Sequence, residues 1–175
     1  MPAITRLYDP AWIFNLLQSI EQAVAAGLAV SPCNFPVASW RRIIGWADPP
    51  EDCCPEIAVW ASAIRQNPAY APPATEMTRA TCTAGWLIDI NVRVSQCFFD
   101  TYDSGDPLPD IDINVLSAGL YSMWACAYFF WWCRWVSGQI DEIDDCTPLY
   151  INESRSYAAG GCGGVEFSIT VGVDR

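Results

Sequence analysis

Two stretches of strict period-two alternation constrain the fold more than any other feature. Trp86, Ile88, Ile90, Val92 and Val94 alternate with Asp89, Asn91, Arg93 and Ser95. Val165, Phe167, Ile169, Val171 and Val173 alternate with Glu166, Ser168, Thr170 and Gly172. Successive side chains of a strand point to opposite faces, so each stretch predicts a half-buried strand, the second lying at the C-terminal end. A third run, Ile57 to Ile64, is apolar at every other position and between, which predicts a central strand covered on both sides. Paired with 86–94 it makes a long antiparallel hairpin, in which Cys54 and Cys97 fall near the same end. Shorter strands are predicted over Trp40 to Trp46, which carries Arg41 and Arg42, and around Leu149 to Ile151.

Between and before these strands lie helical patterns. Asp9-Pro10 is an N-cap followed by proline at the first helical position. Ile13, Leu16, Leu17, Ile20 and Val24 then form one apolar stripe, and Gly27 is placed to stop the helix as a C-cap. The 21 residues 113–133 carry no charge, which length and polarity allow to be a transmembrane helix. The flanks argue against that reading. Asp110 and Asp112 precede it and Asp141, Glu142, Asp144 and Asp145 follow it, so the positive-inside bias is missing. Trp131, Trp132 and Trp135 crowd one end, and Asn114, Ser117, Gly119 and Ser122 dilute the other. The preferred expectation is a long helix packed on a sheet and ended by Gly138. The sum is one α+β domain over residues 1–175, an antiparallel sheet of about four to five strands flanked by an N-terminal and a long central helix.

Composition narrows the chemistry. The chain has nine Arg, no Lys and no His, against 20 acidic residues, for a net charge of −11. Without His there is no Ser-His or Cys-His nucleophile pair and no imidazole metal ligand. Without Lys there is no Schiff-base or P-loop lysine. The negative charge argues against binding phosphate backbones or anionic membrane surfaces, so no membrane partner is expected. The N-terminal stretch, broken by Arg6, Asp9, Asn15 and Glu21, does not read as a secretory signal.

The remaining candidates are weak taken singly. Nine cysteines include no C-x-x-C pair, and an all-cysteine cluster of Cys53, Cys54, Cys82 and Cys97 stands beside the plainer reading of small buried thiols in a reducing cytosol. Oxidation after release from a cell is a third possibility for them. Asp100, Asp103, Asp106, Asp110 and Asp112 lie in a loop that fails the calcium-loop pattern, because Tyr102, Ser104 and Ile111 occupy ligand positions. The acids at 141–145 read as a solvated surface. Gly160 to Gly164, interrupted by Cys162, suits a turn better than a phosphate cradle. No enzyme motif survives, and no cofactor is expected.

In order and spacing, one set of segments resembles a known family. It comprises the N-terminal amphipathic helix, a Trp-containing strand into Cys53-Cys54, Ile57-Ala58-Val59, Tyr70, the Cys82 loop, and Ile90-Asn91-Val92-Arg93-Val94 leading to Cys97. A second helix follows, and the set closes with Gly160-Gly161-Cys162-Gly163-Gly164-Val165 and the strand to Val171. Over residues 40–173 this resembles the tail terminator and head-to-tail connector proteins of long-tailed phages that infect actinobacteria. Residues 98–145 depart most, with a heavier aromatic helix. The resemblance implies a structural virion protein made in the bacterial cytoplasm. It would form a homohexameric neck ring that caps the tail tube protein, ends tube polymerisation and docks to the connector or stopper protein. DNA would pass through its lumen without specific binding. Another neck component, a stopper or tube-like subunit, is the alternative, and a small membrane-anchored protein is a more distant one. On this reading Val165, Phe167, Ile169 and Val171, with Trp124, Trp131, Trp132 and Trp135, carry subunit contacts, while Asp100, Asp103, Asp106, Asp110 and Asp112 face lumen or tube.

Overall fold

The computed structural model describes residues 9–30, 33–46, 55–66, 84–97, 114–115, 117–127, 149–159 and 162–174. Helix α1 runs over Pro10–Ala29. Asp9 caps it as expected, its carboxylate accepting a hydrogen bond from the Ala11 amide at 3.0 Å. The helix does not stop at Gly27, which is buried within it. Leu28 extends the apolar stripe one position beyond Val24 and is fully buried. Burying a leucine is worth about 2–3 kcal/mol and outweighs the roughly 1 kcal/mol that an interior glycine costs. The chain then turns through Asn34, whose φ of 50° suits asparagine better than most residues. That turn is held by Asn34 N–H to Val30 O at 3.0 Å and Phe35 N–H to Leu28 O at 2.9 Å.

A short 3-10 turn, Val37–Ser39, leads into β1, Arg41–Gly45. Strands β2 (Glu56–Gln66), β3 (Ala84–Cys97), β4 (Leu149–Ala159) and β5 (Cys162–Asp174) complete one sheet in the order β1-β2-β3-β5-β4. The β2–β3 hairpin is antiparallel, with Ile57 opposite Val94 and Val59 opposite Val92. β5 then pairs antiparallel with β3, placing Phe167 beside Val92 and Ile169 beside Ile90. The sheet is mixed, not wholly antiparallel, because β1 runs parallel to β2.

One face of the sheet carries the core. Ile57, Val59 and Ala61 of β2, Ile88, Ile90, Val92 and Val94 of β3, and Val165, Phe167, Ile169 and Val171 of β5 lie in one buried cluster with the apolar stripe of α1. α1 sits over β1 and β2. Residues 117–127 form a second helix, part of the long one expected over 113–133, whose residues 128–133 lie outside the described ones. Met123, Cys126 and Ala127 join the same cluster, so both helices cover one face in a two-layer α+β arrangement. No helix among the described residues is long and apolar enough to cross a membrane.

Two expectations for the strands need correction. The C-terminal strand is not an edge: β5 has β3 on one side and β4 on the other, and Gly164, Thr170 and Gly172 on its second face are buried as well. Nor does β3 present a solvated polar face, because Arg93 and Ser95 are 2% and 1% exposed. Polar residues tolerate that burial because they satisfy one another across neighbouring strands.

Candidate functional site

The second face of the sheet is a ladder of opposite charges. β1 places Arg41 opposite Glu56 of β2, and the two form a hydrogen-bonded ion pair. Glu56 is fully buried and also accepts from Arg93 of β3 at 3.1 Å. Arg93 stands opposite Glu166 of β5 and lies over the Trp60 ring, 5.5 Å from its centroid. Glu166 in turn accepts from Arg155 of β4 at 3.2 Å. One alternating row, Arg41-Glu56-Arg93-Glu166-Arg155, therefore crosses all five strands. Cross-strand neighbours of opposite charge stabilise such a row, and the two guanidinium partners neutralise the buried Glu56 carboxylate.

A second polar row runs beside it. Asp89 of β3 accepts from Arg65 of β2 at 3.0 Å and from the Thr170 hydroxyl of β5 at 2.5 Å. Thr170 accepts from the Asn152 amide at 2.9 Å. Burial raises the Asp89 pKa, but the hydrogen bonds from Arg65 and Thr170 and the Arg65 charge outweigh it and hold the carboxyl below its ordinary range. A carboxylate so stabilised is a weak base, and the Thr170 hydroxyl it holds is buried, so this pair is poorly arranged to generate a nucleophile. The row fastens strands together.

Behind α1 sits a further charge that the periodic pattern hides. Glu21 is buried on the apolar stripe and pairs with Arg42, which also donates to the Val37 carbonyl at 3.1 Å. Burial pushes the Arg42 pKa down from its ordinary value. A carboxylate three residues before Val24 and four after Leu17 is the sequence signal for such a pair, because those spacings place it on the buried face.

A groove lies beside the β4 edge. Among the described residues, β4 pairs only with β5 and β1 only with β2, so these two are the edge strands of the described sheet. The groove, of about 380 Å³, separates Leu120, Tyr121 and Trp124 of the second helix from Ser154, Arg155 and Ser156 of β4. Tyr121 is 70% exposed, and its ring stands 6.0 Å from that of Trp124. Two aromatic rings and a guanidinium thus line the groove. A smaller polar hollow of about 250 Å³ lies near Asn91, Arg155, Glu166 and Ser168.

The residues expected at a site are distributed differently from the sequence reading. Val165, Phe167, Ile169 and Val171, expected at subunit contacts, are 0–1% exposed inside this chain's own core. Their backbone is paired on both sides as well, which corrects that assignment. Trp124 is partly buried against the core and lines the groove. Trp131, Trp132 and Trp135 lie outside the described residues, as do Asp100, Asp103, Asp106, Asp110 and Asp112 and the acids at 141–145. So do Cys53, Cys54 and Cys82, while Cys97 is exposed at the end of β3, opposite Cys162. No group of His, Cys, Asp or Glu among the described residues is placed to hold a metal ion.

Of the cysteine readings left open, oxidation fits one pair: Cys33 and Cys126 form a disulfide across 93 residues of sequence, with their Cα atoms 6.3 Å apart. No spacing rule points to that pairing from sequence, since it depends on the second helix packing beside the turn that follows α1. No family model and no curated protein matches the chain.

Proposed function

We propose that this chain is a structural subunit of a phage neck. Six copies form a tail terminator ring that caps the tail tube, ends its polymerisation and joins the tail to the head connector. The observation that carries the reading is the pair of edge strands, β1 and β4, on opposite sides of one sheet, neither with a second strand partner among the described residues. Open edges invite pairing with another chain, and a head-to-tail contact repeated by rotation closes into a ring that leaves none exposed.

Three further points support it. The segments that carry the resemblance include Ile57-Ala58-Val59, Ile90 to Val94 and the closing strand from Cys162, which lie on adjacent strands β2, β3 and β5. The groove beside β4 provides an aromatic seat for a neighbouring copy. A chain of net charge −11 lines a channel that repels DNA and lets it slide. Subunit contacts on this account belong to the β4 edge, the second helix and β1, and the interior strand β5 takes no part.

The test withholds this chain from phage assembly in infected cells. Electron micrographs should contain tail tubes of uncontrolled length, unattached to filled heads. Unattached tubes of normal length would instead indicate a stopper, and intact virions would contradict a neck role altogether.

A further inference from the structure

The Cys33–Cys126 bond joins the turn after α1 to the second helix. On one side, α1 buries Ile13, Leu16, Leu17, Ile20, Val24 and Leu28 at 2% exposure or less. Cys33 follows it in a turn fixed by its own amide, which donates to the Val30 carbonyl at 2.8 Å. On the other side, residues 117–127 bury Leu120, Met123, Cys126 and Ala127 and pack Trp124 against the core, while Ser117, Ala118 and Tyr121 are exposed. The covalent link falls on its buried side, and the same helix forms a wall of the groove beside β4.

We propose that this disulfide is a redox-operated latch. Oxidised, it pins the 117–127 helix against the core and shapes the groove. Reduced, the helix leaves the core while the sheet and α1 stay folded. The latch is a property of the single chain and stands apart from the neck assignment. Closure needs an oxidant, and a low-molecular-weight disulfide supplies it. One protein thiolate attacks that disulfide and releases a first small thiol. The second protein thiolate then displaces the small thiol left in the mixed disulfide. Two protein thiols lose two electrons and two protons, and the small disulfide gains them as two thiols. A thiol reductant reverses both steps. In a reducing compartment the chain is therefore unlatched, and in an oxidising one it closes.

Hydrogen exchange of the full chain, read peptide by peptide, tests the latch. The protein is first equilibrated with oxidised glutathione and then with dithiothreitol, and the Cys33→Ala/Cys126→Ala double variant is treated in parallel. Reduction should speed exchange in 117–127 roughly a hundredfold or more, the size that releasing a closed loop of this length implies. Peptides from β3 and β5 should change little. The double variant should exchange like the reduced protein and ignore both reagents, which separates this pair from the other cysteines. Unchanged exchange at 117–127 would overturn the latch. So would equal acceleration throughout the chain, because the bond would then hold the whole fold and not one helix. Alkylation and peptide mapping that find both thiols free after the glutathione step would overturn it without need of a variant.

Discussion

At Glu56, one carboxylate decides how a polar sheet face can be buried. It is fully enclosed between Arg41 and Arg93, and Arg93 is itself nearly inaccessible. The buried Arg93 guanidinium costs little while Glu56 is there and becomes costly without it, whereas Arg41 is 41% exposed. Replacing Glu56 with Gln is expected to destabilise the chain by about 3–5 kcal/mol, the usual cost of breaking a buried pair by removing one partner. Urea denaturation checks this. Glu166→Gln provides the contrast, since Arg155 is mostly exposed and such a pair is worth less than about 1 kcal/mol. A loss below 1 kcal/mol at Glu56 as well would mean that Arg93 does not depend on it. Alternation alone made Arg93 look solvated, because a period of two reports which residues share a face and nothing about what covers that face. Glu21 was hidden in the same way among the apolar positions of α1.

At the level of elements, most of the architecture was legible because each element has a local cause. Asp9-Pro10 starts α1, and alternation marks β3 and β5. The apolar run 57–64 marks β2 as interior, and Ile57 to Trp60 do lie buried between β1 and β3, but Ser62 to Ile64 run beyond β1 and are exposed. Strand order was not legible, since it depends on which edge the β4–β5 hairpin joins. The C-terminal strand therefore looked like an exposed interface and is instead packed between β3 and β4. This changes the meaning of one substitution. Ile169 is fully buried between Ile90 and Ile151 in register, so Ile169→Arg should abolish folding instead of separating subunits. Circular dichroism of the variant should lack a cooperative thermal transition. A folded variant, whatever its oligomeric state, would contradict this placement of β5. The Cys33–Cys126 pairing was illegible for a related reason, as it joins segments that meet only once the second helix is seated.

For the whole molecule, the proposed assembly rests on the two edge strands, β1 and β4, each of which has one strand partner among the described residues. The edges lie on opposite sides of one sheet, so a copy that uses β4 on one neighbour keeps β1 for the next. Tyr121, exposed beside the β4 edge, is where that contact can be weakened without touching the core. The most direct measurement is native mass spectrometry of the purified chain beside its Tyr121→Asp variant. The account predicts six chain masses for the wild type and mostly single chains for the variant, with both proteins equally folded. A wild type found only as single chains, or a hexamer indifferent to Tyr121→Asp, would contradict a ring closed through the β4 edge.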